Sequence, residues 1–582
     1  MANWSFWIDR GGTFTDTVAL SPSGRLLSSK FLSVNPEQYL DAAIYSIKKF
    51  LAVPTDQKIP VSKIESIKLG TTVATNALLE RKGSRTVLVV TRGFEDQLRL
   101  GYQNRPDIFA RKIILPDQLY DKVVSVKERI LANGTIVKPL DIDSVKNDLE
   151  SCIDEGITSC AIVLMHGYKF IDHEKKISEL ANRIGFQQVS VSHEVSPQIR
   201  FVERGDTTVL DAYLTPVLKK YISQLEDNFE GNLDHRLMFM QSNGGLAGPK
   251  FFQGKDAVLS GPAGGVVGAV EVSVRLGEKK IIGFDMGGTS TDVCHFSGKF
   301  ERIFRGEIAG TRLASPMMNI HTVAAGGGSL LTYSSGRLQV GPESAGAKPG
   351  PACYGKGGPL TVTDANVITG RLRPEFFPPI FGKFGNQILD NQASKSAIDP
   401  ITKELNRTAE ALAEDWLNIA TQNMVSAIKK ISVQRGYNIS DYCLTVFGGA
   451  GGQFACEAAE KLGISKCLLH SKASLLSAYG IGLATLRRVK KESIEKLLIE
   501  EEMEFLVARI SSIKEVLKVE MQDQGVELQE LESDTTIFLK SGNSDTAFPI
   551  MFQSVDKMKH NFKKSFKRQF GFFVETDSIV VD

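Results

Sequence analysis

A pattern of Asp, paired Gly and Thr occurs twice in this chain. Asp9-Arg10-Gly11-Gly12-Thr13-Phe14-Thr15-Asp16 returns as Asp285-Met286-Gly287-Gly288-Thr289-Ser290-Thr291-Asp292, and an apolar run leads into each copy, Trp4 to Ile8 and Ile281 to Phe284. Such a run, ending in Asp and paired Gly, predicts a strand that passes into a tight turn. Glycine there lets backbone N–H groups face phosphate oxygens, and the carboxylate is placed to hold a divalent cation. Two such turns can grip one polyphosphate from opposite sides.

A third glycine cluster agrees. Leu444-Thr445-Val446-Phe447 runs into Gly448-Gly449-Ala450-Gly451-Gly452-Gln453 late in the chain. Any one cluster reads equally well as a bare hairpin turn; three in matching strand contexts argue for nucleotide contact. At 582 residues the chain exceeds the roughly 250–300 at which single cores stop growing, so at least two domains are expected. A net charge of +2 offers no electrostatic ground for nucleic acid or an anionic membrane as partner. Met1 to Arg10 lacks the basic and apolar regions of a signal peptide, and no uncharged apolar stretch reaches membrane-spanning length. A soluble, cytoplasmic protein is expected. Seven scattered cysteines without a C-x-x-C pair argue against a disulfide framework or a structural zinc site.

Phe14 to Leu20 and Arg25 to Ser33 alternate like antiparallel strands, and Pro36 opens a helix expected to run through Leu51. Strand and helix then alternate through Ile64 to Gly70, Thr71 to Glu80, Thr86 to Thr91, Ala161 to His166, His173 to Ile184 and Gln188 to Ser192. Asp206 to Leu225 reads as one long helix by which the chain leaves a first domain, and the second is expected to begin near Leu237. The Gly- and Pro-rich stretch from Gly326 to Pro359 reads as loop. Ala409 to Arg435 presents Leu412, Trp416, Ile419, Met424 and Ile428 at helical spacing, a core face, and Gln453 to Gly463 is a helix ended by glycine. Glu500 to Gln524 reads as an amphipathic helix, Lys557 to Phe570 as a basic one with Phe562, Phe566 and Phe570 on one stripe, and Thr576 to Asp582 as a strand.

The paired turns resemble those of the actin, Hsp70 and sugar-kinase superfamily, whose two related domains hold ATP in the cleft between them. Within it, the chain is similar to the hydantoinase A and 5-oxoprolinase family. The resemblance is carried by Phe6 to Asp16, Leu69 to Glu80, Ser260-Gly261-Pro262-Ala263-Gly264-Gly265, Gly283 to Asp292, His321 to Ser329, Gly346 to Tyr354 and Thr363 to Leu372. Arg10 and the Gly101 to Ala110 segment look more like the 5-oxoprolinase branch. The fold so implied is α/β, a two-domain actin/Hsp70/sugar-kinase-like (ribonuclease H-like) arrangement with the ATP cleft between domains and a short C-terminal α+β segment. The expected divisions are 1–205, 206–490 and 491–582. The activity implied is ATP-dependent ring opening of a cyclic amide such as 5-oxoproline or a hydantoin, this chain being the ATP-binding, substrate-phosphorylating subunit. Ring opening is then completed on a B-type subunit or on the second half of a fused chain, and an oligomer is expected. Two departures stand out. Relatives often carry His in the Gly-Gly-Gln-His-Ala run where this chain has Phe454, and the chain stops where relatives run on, so a shortened or split A-type subunit is expected.

A five-membered lactam resists water because its nitrogen donates into the carbonyl. Phosphorylating the carbonyl oxygen removes that donation and makes a leaving group. Phosphoryl transfer asks for positioning and charge neutralisation, hence Mg²⁺ between carboxylate-bearing turns. The resemblance implies that Asp9 and Asp285 hold hydrated Mg²⁺, one of them orienting the nucleophile. It also implies that Gly11, Gly12, Thr13, Gly287, Gly288 and Thr289 contact the β- and γ-phosphates and that Gly448, Gly449 and Gly451 contact adenosine. Arg105 and Asp107 suit a substrate's carboxylate and ring N–H, and suit a surface ion pair as well. His321, beside the Gly326 to Gly328 loop, is a candidate acid or base or a core histidine. His173-Glu174 and His193-Glu194 lack the i, i+4 spacing of a helical metal site, so no transition metal is read. Other readings stay open: an ATP-dependent ketone carboxylase subunit, a small-molecule kinase, and a non-catalytic ATP-binding protein.

Overall fold

Two sheets of the same connectivity organise the chain. In the computed structural model, which describes residues 3–12, 14–103, 109, 111–112, 115–377, 379–383, 385–542, 544, 546–573 and 578–582, the sequence duplication is a duplication of a sheet. Trp4–Arg10 is antiparallel to Phe14–Leu20, and that strand to Leu26–Leu32. On its other side Trp4–Arg10 runs parallel to Ile64–Thr71, itself parallel to Leu237–Met240. The second sheet repeats the order: Lys280–Met286 is antiparallel to Thr291–Ser297 and that to Ile320–Val323. On its other side lie Cys443–Phe447 and Lys466–Leu469, both parallel. Cys443–Phe447 is buried along its whole length, which explains its lack of polar alternation: a central parallel strand is covered on both faces.

Leu237–Met240 therefore completes the first sheet instead of opening a second domain, and Leu246–Ala247 adds an antiparallel edge beyond it. The long helix before it spans Phe201–Glu226, so a division at 205/206 falls inside a helix. A strand's partner is chosen by tertiary register, which an isolated run of apolar residues does not announce. Four further parallel strands, in the order Lys122–Val126, Thr86–Thr91, Ser159–Val163 and Gln188–Val191, form a separate sheet. Leu88, Val90, Ala161 and Val163 from it share one core with Phe6, Ile8, Ile67 and Leu69 of the first sheet.

Between the two duplicated sheets cross the helices Ser260–Arg275 and Leu476–Leu483. Their contact is backbone on backbone. A Cβ at Gly480 would drive into the Gly264 carbonyl and the Gly268 amide, and one at Gly268 would lie 2.6 Å from the Leu476 carbonyl oxygen. Glycine is what permits such an approach. The pair touches both sheets: Gly265 packs against Phe447 of the second, and Ile481 and Gly482 against Gly70 and Trp7 of the first.

Two local expectations change. The first helix spans Ala42–Leu51 and begins at Asp41, whose carboxylate accepts the N–H groups of Ala43 and Ile44, six residues later than proline placement suggested. The Gly326 to Pro359 stretch is not all loop, since Ser329–Ser334 and Arg337–Ser344 pair as a hairpin. Ala409–Ile431 buries Leu412, Trp416, Met424 and Ile428 as its spacing requires. At the C-terminal end, Lys496–Leu497, Ile579–Val581, Thr536–Ser541 and Phe548–Met551 form a small antiparallel sheet. The Val555–Phe570 helix lays Val555, Met558, Phe562 and Phe566 against its core, leaving Phe570 at the surface. Among the described residues no helix is long and apolar enough to cross a membrane.

Candidate active site

The two turns close in the same way. The Gly11 N–H donates to the Phe14 carbonyl and the Gly287 N–H to the Ser290 carbonyl, each at 3.0 Å. Register then builds two matching rows. Across the first sheet run Gly70, Asp9, Asp16 and Lys30; across the second run Phe447, Asp285, Asp292 and Thr322. Within the rows, Lys30 Nζ lies 2.6 Å from Asp16 Oδ1, and Thr322 Oγ1 donates to Asp292 Oδ1 at 2.6 Å.

The glycines of the turns separate into two kinds. At Gly11 an added Cβ would sit 2.9 Å from the Phe14 carbonyl oxygen, so turn closure itself excludes a side chain. At Gly12 and Gly288 a Cβ would meet nothing within 4 Å, and neither residue needs a positive φ. Folding does not demand glycine there, whereas a ligand that must approach the backbone does. Thr13 lies outside the described residues, as do Arg105 and Asp107.

Burial and repulsion dominate the carboxylates. Asp9 is pushed up to about 7, first by burial and then by Asp16, with Lys30 pulling the other way. Asp285 is raised well above the carboxylate range by burial, then by Asp292, Asp9 and Asp16. Asp16 and Asp292 are raised by burial too, opposed by Lys30 and by the Thr322 hydroxyl respectively. The Ser260–Arg275 helix links the two rows, a Cβ at Gly261 lying 3.2 Å from Asp9 Oδ1 and one at Gly265 2.8 Å from Phe447 Cε2. Asp9 Oδ1 is sealed from solvent without a hydrogen-bond partner and rests against Gly70 and Gly261, where added Cβ atoms would lie 3.4 and 3.2 Å away. Such an orphaned oxygen suits a missing donor, such as a water on a cation.

The third turn adjoins the second. The Ala450 N–H donates to the Met286 carbonyl at 2.9 Å, and Gly448, at φ 80°, leaves no room for a Cβ beside the Asp285 carboxylate. Gly451 is glycine for packing, a Cβ there lying 2.9 Å from Val446 Cγ1. Gly449 is open on all sides, like Gly12 and Gly288. Phe454 is wholly buried in the second sheet's core and stands apart from the open face of the turn.

Sequence reasoning missed several supports. Gly327 and Gly328 donate their N–H groups to the carbonyls of Gly287 and Gly288 at 3.1 and 2.6 Å, and a Cβ at Gly326 would lie 2.6 Å from the Thr289 carbonyl carbon. Thr363 Oγ1 holds the Gly327 carbonyl at 2.7 Å. Beside it the buried Asp364 accepts from the Cys353 and Thr361 N–H groups at 2.7 and 2.8 Å and from Ser394 Oγ at 2.7 Å, fixing the neighbouring loop. His321 lies off the rows. It pairs with Val293, one residue out of step with the Asp292–Thr322 pair, so the pleat turns it to the opposite face. There Lys430 and Arg435, with burial as the larger cause, hold its imidazole below the usual value, and it stands outside the carboxylate rows.

Comparison with known proteins gives the following. The model of the hydantoinase/oxoprolinase N-terminal region matches residues 5–185, and the hydantoinase/oxoprolinase model matches residues 204–490. The 5-oxoprolinase 1 of Arabidopsis thaliana is 39% identical over 99% of this chain and 49% of its own length. The caprolactamase subunit alpha of Pseudomonas jessenii is 33% identical over 89% of this chain and 76% of its own length. The chain spans about half the length of the 5-oxoprolinases it matches. The crystal structure of the ATP-dependent caprolactamase from Pseudomonas jessenii agrees with a TM-score of 0.85 at 27% identity, covering 99% of this chain and 87% of that one. The nucleotide-free acetone carboxylase structure, with a TM-score of 0.73 at 22% identity over 100% of this chain and 87% of that one, shares the fold.

Proposed function

The chain belongs to the hydantoinase/oxoprolinase family, and from that premise we propose that it binds Mg-ATP between the Asp9 and Asp285 turns and phosphorylates the carbonyl oxygen of a small cyclic amide. The observation that carries this reading is the duplicated sheet, which sets Asp9 beside Asp16 and Asp285 beside Asp292 at matching positions, next to glycines that folding does not require. The duplicated sheet is read as the two-domain, actin-like and ribonuclease H-like arrangement with the nucleotide between halves. Relatives named 5-oxoprolinase and caprolactamase take cyclic amides by those names, which supports 5-oxoproline, a hydantoin or a similar ring as substrate.

The chain's own groups have distinct tasks. Backbone N–H groups at Gly12 and Gly288, with the Thr13 and Thr289 hydroxyls, bind the phosphates while Gly11 and Gly287 close the turns around them, and Gly448, Gly449 and Gly451 border the adenosine. Among the described residues no three His, Cys, Asp or Glu side chains are grouped to ligate a metal directly, so Asp9 and Asp285 would hold Mg²⁺ through water. Bound there, Mg²⁺ supplies charge neutralisation for the terminal phosphates. The Gly326 to Gly328 loop and the Asp364 network keep the second turn in place while substrate enters. Ring opening falls to a B-type polypeptide or to the second half of a fused chain.

The test is ADP release with 5-oxoproline, hydantoins and simple ketones, with and without a B-type subunit. Ring-dependent ADP release is expected, with ring-opened product only when both polypeptides are present. ADP release indifferent to every cyclic amide would refute the assignment, and a stable phosphorylated small molecule would identify a kinase instead.

A further inference from the structure

The two rows match in geometry and differ in charge. At their fourth position the first carries Lys30 and the second Thr322, each bonded at 2.6 Å to the second carboxylate of its row. The twin shows that a hydroxyl suffices to hold that carboxylate, so the ammonium on one side has a further task. Lys30 is 45% exposed, with Nζ 5.3 Å from the centroid of the Phe14 ring at the mouth of the turn. Its strand faces the other half of the molecule: Ser28, on the same face, accepts from Lys472 Nζ at 3.4 Å. Its charge acts on Asp9 and Asp16 in its own sheet and on Asp285 across the cleft, lowering all three against burial.

Four carboxylates facing a polyphosphate need positive charge, and a lysine on a flexible stem can exchange one anionic partner for another where a backbone amide cannot. We propose that Lys30 is the residue that recognises the terminal phosphate of the bound nucleoside triphosphate, its ammonium passing from Asp16 to a γ-phosphate oxygen and so distinguishing ATP from ADP. The inference rests on the Mg-ATP reading of the cleft and adds to it a specificity-determining cation.

Calorimetric titration of the full chain with Mg-ATP and with Mg-ADP tests it, on wild type, Lys30→Met and Lys30→Arg. Lys30→Met should lower Mg-ATP affinity about ten- to a hundredfold, the range of a charged hydrogen bond, and leave Mg-ADP affinity nearly unchanged. Lys30→Arg should recover most of the loss. The residue is half in solvent, so losing its pair with Asp16 should cost little stability and both variants should stay folded. Equal losses for ATP and ADP, or no loss in a wild type that binds Mg-ATP, would overturn the role of Lys30 alone. Absence of Mg-ATP binding by the wild type would sink the cleft reading together with it.

Discussion

Asp9→Asn should make the nucleotide-free chain more stable while removing its activity. The wild-type carboxylate has a value of about 7 in the folded chain against 3.8 unperturbed, so folding works against its ionised form. Three pH units at 1.36 kcal/mol each set a ceiling of ~4 kcal/mol on that penalty. The amide still has to find partners where Oδ1 has none, which lowers the expected gain to ~1–2 kcal/mol. The sign follows from the two values. Above about 7 the folded and unfolded chains are both ionised and the penalty is full; it shrinks as the folded carboxylate protonates, and vanishes below 3.8. Thermal unfolding without Mg²⁺ or nucleotide should therefore show the variant melting roughly 1–2 °C above wild type at alkaline pH, converging on it in acid. ATP turnover should fall at least about a hundredfold, the scale for removing one preorganised charge. A variant that melts with or below wild type at alkaline pH, or whose advantage persists in acid, would show that burial of Asp9 is not the source of its shift.

Gly288→Val meets no protein atom at its Cβ, so the fold should survive while Mg-ATP affinity falls at least ~10-fold; unchanged calorimetric binding would make Gly288 a turn residue only. Gly448→Ala should behave in the opposite way, losing ~1–3 kcal/mol of stability in chemical denaturation, because φ is 80° and the Cβ collides with Asp285; an unchanged midpoint would contradict that geometry. Mg-ATP affinity should weaken as pH drops below about 7, by about tenfold per unit for each proton the cation displaces from Asp9; a flat profile across that range would separate the metal from this carboxylate.

The turns were legible because their chemistry is local: Asp, two glycines and a flanking strand impose the same hairpin wherever they occur. What register decides was hidden. Lys30 and Thr322 join the rows only through pairing with Asp16 and Asp292, and nothing in their own neighbourhoods marks them. His321, an acid or base or a core histidine by its place near a glycine loop, falls on the other face because a sheet inverts the face at every residue, and it is Thr322 that joins the row. The glycines of the third turn looked alike in sequence. The structure gives Gly448 and Gly451 steric reasons and leaves Gly449 without one. Leu237–Met240 misled for the same cause as Lys30, since its membership in the first sheet is a long-range fact.

The glycine crossing of the Ser260 and Leu476 helices bears on how such a chain can vary. In an ordinary core, volume gained at one position can be offset by volume lost at a neighbour, and sequences drift through these exchanges. At Gly268 and Gly480 the neighbour has nothing left to give up, because each residue meets the main chain of the other helix. No second-site reversion by a smaller side chain exists for a methyl added there. In a randomised library these two positions should return as glycine alone, while Gly264, whose nearest neighbour is the Ile481 side chain, can change together with Ile481.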